Sequence, residues 1–322
     1  HDYDASGKPV CAWDDPDAKT ALISGLVNDA RAVIEGLQGV RLDTEQADAA
    51  GLLALVAGQD VEPGDEEGTW RIVQGVAPDR VISTVDPEAR HMHKSRSEYR
   101  DGYKAHLAVE PETGIITRCA LTPANAADGP TGVELLEGEE PGLQVLADSA
   151  YGSGETRFAI RQKKHRPAIK AIPLRRAIPG GFDRDDFIID HDARTATCPA
   201  GHIVAVTLKG NAVFGVRCGP CPLRGRCTTA KDGRTIKIGP HDRDLVEGRR
   251  AWRDGEFAED YRRWRPMVER SIAWLVRGPN RRVRYRGVEA NNAWLGLRVA
   301  ALNLRRLINL GLSRDGPTWI LT

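Results

Sequence analysis

The sequence predicts an α/β protein: a mixed sheet with flanking helices, interrupted by a Cys-rich insertion and preceded by an acidic helical segment. Three observations carry this expectation. Between Tyr103 and Ile172 the patterning runs hairpin, strand, helix, strand, the order that builds a mixed sheet. Four of the six cysteines, Cys198, Cys218, Cys221 and Cys227, fall within 30 residues, while Cys11 and Cys119 stand apart. Residues 1–70 hold 4 Lys/Arg against 15 Asp/Glu, in a chain whose totals are 46 and 45.

The elements follow in order. Asp14, Asp15 and Asp17 with Pro16 open a helix that carries Leu22, Leu26, Ala30, Val33 and Leu37 at helical spacing. A second helical stretch over Thr44–Ala57 stops at Gly58, and Gly64–Gly68 reads as a polar loop. Val81–Val85 is a short β-rich run ended by Asp86 and Pro87. Tyr103, Ala105, Leu107 and Val109 alternate with Lys104, His106 and Ala108. The turn residues Pro111–Gly114 and the return Ile115–Leu121 complete a hairpin, with Cys119 pointing to the core. Leu143–Ala147 is an apolar strand with Asp148 at its end. Tyr151–Gly154 then turns into a helix with Ser153 as N-cap, and Ala168–Ile172 is the next strand. Beyond the Cys-rich stretch two helices carry apolar stripes. One is Trp264, Val268, Ile272 and Leu275; the other is Trp294, Leu297, Ala301, Leu304 and Ile308. The expected division is 1–75, acidic and helical; 76–176, first part of the α/β core; 177–243, Cys-rich insertion; and 244–314, helical second part of the core.

At 322 residues, 41% hydrophobic and 28% charged, the chain is long enough for a large interrupted domain or two domains, and neither fibrous nor wholly disordered. No apolar run approaches the ~18 residues of a membrane helix. No basic start precedes an apolar stretch, so no secretory signal is read. The first residue is His1 rather than Met, which suggests a piece of a longer chain. Beyond residue 70 the chain is net basic, which suits a polyanionic partner, and Arg outnumbers Lys 36 to 10.

Two constellations suggest chemistry on DNA. A carboxylate at the carboxyl end of a strand, Asp148, sits where open α/β sheets gather ligands and can hold a hard divalent cation. Tyr261, Arg265 and Glu269 share one helical face at i, i+4 and i+8. Within 261–286 nine arginines surround the single acid Glu269. An arginine field suits phosphate, and a lone carboxylate within it suits a metal ion.

These stretches resemble the DDE transposases of bacterial insertion sequences, in the branch with a Cys-containing insertion. The matching segments are TVDPEAR (84–90), DGYKAHLAVEPETG (101–114), LTPANAADG (121–129), VLADSAYGSGETR (145–157), CPAGH (198–202), CGPCPLRGRC (218–227), YRRWRPMVERSIAWL (261–275), RYRGV (284–288) and AALNLRRL (300–307). The resemblance implies a ribonuclease-H-like core and metal-dependent phosphodiester cleavage with strand transfer at insertion-sequence ends. It implies Asp148 and Glu269 as catalytic carboxylates holding Mg2+ or Mn2+, with Tyr261 and Arg265 as companions on the signature helix. Two such ions activate a water and stabilise the leaving oxygen. Arg277 resembles the basic residue that follows the Glu, although Val276 stands at its usual spacing. The family's first Asp has no convincing counterpart, and it is expected upstream of His1. Double-stranded DNA is the implied partner, bound by Arg262, Arg263, Arg281, Arg282, Arg284, Arg286, Lys163, Lys164 and Arg166. A homodimer on paired DNA ends and a cytoplasmic, nucleoid-associated location follow the same resemblance. The alternatives are a catalytically incomplete DNA-binding remnant and a ribonuclease-H-like nuclease.

The pattern Cys198-x19-Cys218-x2-Cys221-x5-Cys227 suits tetrahedral Zn2+, held by four thiolates or with His202 replacing one. An iron–sulfur cluster or four unliganded thiols are the other readings. His91, His93 and His106 are read as loop and strand surface, and Trp264, Trp274 and Trp294 as core anchors.

Overall fold

Residues 3–4, 7–77, 79–93 and 97–321 are described by the computed structural model of the chain. Asp15 caps helix α1 (Pro16–Gly36) by accepting from Asp17 N, and Pro16 pre-sets the first turn. Helix α2 (Thr44–Gly58) opens with a reciprocal capping box between Asp43 and Gln46. Strands β1 (Val61–Pro63) and β2 (Trp70–Ile72) then form a small antiparallel hairpin. The core sheet elements are β3 (Arg90–His93), β4 (Tyr99–Val109), β5 (Ile116–Pro123), helix α3 (Asp128–Glu134) and β6 (Gln144–Ala147). Helix α4 (Gly154–Gln162) and β7 (Arg166–Ile169) follow. The Cys-rich stretch contributes five strands of three residues each: β8 (Ile188–Asp190), β9 (Thr195–Thr197), β10 (Ile203–Ala205), β11 (Asn211–Val213) and β12 (Thr235–Lys237). The single-turn helix α5 (Arg224–Cys227) lies between the last two. Helices α6 (Asp242–Arg253), α7 (Ala258–Leu275) and α8 (Val288–Asn309) and a hairpin, β13 (Leu312–Asp315) with β14 (Thr318–Leu321), complete the chain.

The chain divides into two compact units. The first comprises His1–Ala105, Leu121–Ala126 and Pro279–Arg298. The second comprises His106–Ala120, Ala127–Gly278 and Val299–Thr322. In the first unit Ser24 Oγ of α1 accepts from Trp70 N at 2.8 Å, and Arg31 lies over the Trp70 ring. Asp86 accepts from Tyr103 OH at 2.6 Å and from Gly287 N at 3.1 Å, so the TVDPEAR and RYRGV segments are tied together. The run Val81–Val85 is not a strand. Val81 exchanges both backbone bonds with the Gln59 side chain, and Ser83 Oγ accepts from Val85 N and Asp86 N, which curls the chain.

The hairpin of β4 and β5 and the parallel pair β6–β7 form as expected from the patterning. They belong to separate ladders, β3-β4-β5 and β6-β7; no hydrogen-bonded ladder joins them into one mixed sheet among the described residues. In the second unit β6 and β7 pack Val145, Ala147 and Ile169 against Ile160 of α4 and Leu136. The Cys-rich stretch has its own core, in which Phe187 and Phe214 meet with ring centroids 5.5 Å apart, backed by Ala196, Val204, Ala212 and Ile236.

The apolar stripe expected on α8 is misplaced. Its buried positions are Asn291, Leu295, Val299 and Leu302, whereas Leu297, Leu304 and Ile308 face out. A stripe chosen by hydrophobicity alone misses Asn291, whose amide donates to the carbonyls of Tyr285 and Gly287 within the first unit and so anchors the helix start.

Candidate functional site

Asp148 follows β6 and caps a short 3-10 turn, Ser149–Tyr151, by accepting from Ala150 N at 2.9 Å. Its other oxygen accepts from Arg265 Nη2 of α7 at 3.0 Å. The pair joins residues 117 positions apart, with side chains 41% and 17% exposed. Gln144, at the start of β6, donates to Asp260 of α7 at 2.8 Å, so helix and strand are pinned at two points.

The backbone around Asp148 is fixed by buried polar groups. Ser153 caps α4 by accepting from Thr156 N. Arg157 is 1% exposed; its guanidinium donates to Gly152 O and to Ile169 O, tying the turn after β6 to the end of β7. Burial holds the Arg157 pKa below its ordinary value, with the Arg161 and Arg249 charges adding to the effect. Gly248 of α6 closes over the guanidinium, and a methyl group there would collide with it. Tyr151 bonds His106 Nδ1 at 2.9 Å. Its phenol pKa is raised first by burial, then by the charges of Asp128 and Asp148, against the opposing pull of Arg265. His106 was expected on the strand surface; it is 2% exposed, because Tyr151 satisfies its ring nitrogen inside.

On α7, Arg265 meets Asp148, and Tyr261 stacks edge-on against Trp252 of α6 at 5.3 Å. Glu269 lies one turn beyond Arg265 and is exposed. Ser271, fully buried, donates to Met267 O and accepts from Arg306 Nη2 at 2.8 Å. Arg306 also donates to Gly114 O at the tip of the hairpin. Asn303 exchanges two bonds with the backbone of Ile116 and so holds the return strand. Arg157, Asn303 and Arg306 escaped the sequence reading. The available signal was a polar residue recurring at i, i+3 within an otherwise apolar stripe, as Asn303 and Arg306 do in AALNLRRL.

Of the expected DNA contacts, Arg262, Arg263, Lys164 and Arg166 are exposed and Lys163 half-buried in the second unit. Arg281, Arg282, Arg284 and Arg286 are exposed in the first unit. The three tryptophans are not buried anchors. Trp264, Trp274 and Trp294 are at least partly exposed, and each has an arginine over its ring: Arg263, Arg305 and Arg298 respectively.

Asp148 and Glu269 offer the hard oxygen donors that Mg2+ or Mn2+ prefers, but Asp148 is already paired with Arg265. Among the described residues no three His, Cys, Asp or Glu side chains stand together as a group able to hold a metal ion. The residues therefore fit the ion in kind and fall short of it in number.

Cys198, Cys218, Cys221 and Cys227 line one small pocket together with His202 and Arg234. Burial pushes the Cys227 thiol pKa up; Arg234 opposes this, and the neighbouring Cys218, Cys198 and Cys221 reinforce it.

The sequence model described as "Transposase DDE domain" matches residues 197–308. A transposase for insertion sequence element IS1106 from Neisseria meningitidis serogroup B is 31% identical over 96 residues. That alignment covers 30% of this chain and 33% of the relative, so the chain spans about a third of the length of the curated relative it matches. No solved structure matches. The resemblance to a DDE transposase of an insertion sequence is thus supported by two independent matches. No helix among the described residues is long and apolar enough to cross a membrane.

Proposed function

We propose that this chain is the part of an insertion-sequence DDE transposase that carries the second and third catalytic carboxylates, Asp148 and Glu269, on a ribonuclease-H-like core. We read 76–176 and 244–314 as the two parts of that core, with 177–243 inserted between them. The observation that carries the reading is the Asp148–Arg265 pair. It sets the strand-end carboxylate against the helix that bears Glu269; that helix lies within the 197–308 matched by the DDE family model, and Asp148 lies before it.

DDE domains generally use divalent metal ions, and Asp148 and Glu269 are the side chains that would hold one here. When bound, such an ion supplies an activated water and a stabilised leaving oxygen. The chain's own residues do the rest. Arg265 keeps Asp148 oriented until substrate arrives. Arg262 and Arg263, on the same helix, offer forked donors to phosphate oxygens. Tyr261, seated on Trp252, fixes the rotation of α7 and hence the direction in which Arg265 and Glu269 point.

The pairing of Asp148 with Arg265, and the lack of a three-carboxylate group among the described residues, also favours a second reading: a DNA-binding remnant without catalysis. One experiment separates the two. The chain, joined to the segment that supplies the first carboxylate, is incubated with Mg2+ or Mn2+ and duplex DNA bearing the element's ends. Cleavage at the ends and joining of the freed 3′-hydroxyl to a second duplex support the transposase. Salt-sensitive binding with a slope of ~−0.9 per contacted phosphate, and no cut strand, supports the remnant.

A further inference from the structure

We infer that Cys198, Cys218, Cys221 and Cys227 hold one structural zinc ion at the centre of the module between Phe182 and Ile238. This goes beyond the catalytic reading and stands independently of it.

The fold delivers the four sulfurs from three separate turns. Cys198 lies in a tight turn, accepting from Gly201 N at 2.8 Å and donating its own amide to His202 O at 3.0 Å; Gly201 sits at φ +80°, which a side chain would resist. Cys218 ends a 3-10 turn and Cys221 follows three residues later. Cys227 ends the single-turn helix α5. All four border one pocket of about 20 Å³, room for about one water-sized occupant. That volume suits a single ion.

The surroundings are built for thiolate. The backbone amide of Arg234 donates to Cys218 Sγ at 3.4 Å. The approach requires Gly233, where a Cβ would lie 3.1 Å from that sulfur and φ is +84°. Hydrogen bonds of this kind orient and stabilise a metal-bound sulfur. Arg224 and Arg234 line the same pocket and oppose the charge of a four-thiolate site. All six cysteines are free, so the gathering is not explained by a disulfide.

The module also needs a staple. Its strands are three residues long, at the lower limit of the usual range, and its buried core is small, two phenylalanines with Ala196, Val204, Ala212 and Ile236. Modules this small often depend on metal or disulfides. The four thiols border one pocket without standing as a ligand group in the structure, so binding has to draw the sulfurs together. Binding closes them onto Zn2+ at ~2.3 Å. Four Cys–SH lose four protons to water, and the zinc–tetrathiolate carries a charge of −2.

The test uses the full chain, purified without chelator. The expected result is one zinc per chain by elemental analysis. A mercurial that titrates four thiols should release it, and replacement by Co2+ should give the intense visible bands of tetrahedral cobalt thiolate. Cys221→Ser should weaken zinc binding at least about tenfold and shift the cobalt bands, while Cys119→Ser should change neither. If Cys221→Ser fails to fold, the wild-type cobalt spectrum and thiol count decide. A protein whose thiols react at one rate with or without Zn2+ would overturn the inference. So would a brown protein containing iron and labile sulfide, or zinc binding indifferent to Cys221→Ser.

Discussion

Around Asp148 the groups that fix the backbone are polar: the buried Arg157 on two carbonyls, and Tyr151 on the buried His106. In the module around the cysteines the fixing groups are apolar, Phe187 against Phe214 with alanines and branched residues filling in. Hydrogen bonds have direction, so the first region can hold a carboxylate at a set angle without a ligand present. Apolar packing has none; it brings turns close and leaves the last contraction to whatever the thiols bind. The contrast teaches that the strand-end turn is set by the fold, whereas the inferred cysteine site would be completed by its occupant.

The largest expected effect breaks the apolar side. Phe214→Ala empties the centre of the module and should cost about 3–5 kcal/mol. Limited proteolysis should then cut within 182–238 while the Asp148 region stays protected. An equal loss of protection in both regions would dissolve the contrast.

Next comes the polar side. Arg157→Met orphans the carbonyls of Gly152 and Ile169, at about 1–3 kcal/mol each. Relief from burying a charge offsets part of this. A net loss of about 2 kcal/mol in chemical denaturation is expected. Gly248→Ala should also destabilise, by about 1–3 kcal/mol, although alanine is the better helix former. The reason is that the added methyl meets the Arg157 guanidinium. In the Arg157→Met background the same change should cost less, because the flexible thioether yields.

A smaller effect depends on pH. The folded state raises the Tyr151 pKa, through burial first and the nearby carboxylates second. The raised pKa favours the protonated phenol in the fold. Its stabilising contribution is therefore whole below the unfolded value near ~10 and is lost as pH rises through the folded value above it. Urea midpoints should fall at pH above ~10 in the parent and fall less in Tyr151→Phe. At neutral pH that variant should lose only about 1 kcal/mol, for the unpaired His106 nitrogen.

The smallest stability effect belongs to Asp148→Asn. The pair with Arg265 is partly exposed, so its loss should move the unfolding free energy by no more than ~1 kcal/mol.

Local chemistry was the legible part of the sequence. Asp15 and Ser153 cap helices where their side chains said they would, and the alternation in 103–121 does form a hairpin. Asp148 at a strand end and Arg265 one turn before Glu269 were also readable, because strand and helix periods place them. What escaped was the pairing of polar groups across long separations. His106 looked like a surface histidine because nothing local reveals that Tyr151 will meet it 45 residues on. Val81–Val85 has strand composition, yet the Gln59 side chain claims the backbone bonds of Val81 and Ser83 Oγ accepts from Val85 N. The buried face of α8 was misread because Asn291 and Asn303 are polar by type and inward by partner.

The most direct measurement of the central claim sets Asp148→Asn beside the parent, each joined to the segment that supplies the first carboxylate, following both the unfolding midpoint and Mg2+- or Mn2+-dependent cleavage of DNA bearing the element's ends. The account predicts that the parent cuts, that the variant unfolds within ~1 kcal/mol of it, and that the variant cuts at least about a hundredfold more slowly while binding the DNA as tightly. A parent that binds the ends with metal present and leaves them whole, or an Asp148→Asn variant that cuts as fast as the parent, would contradict it.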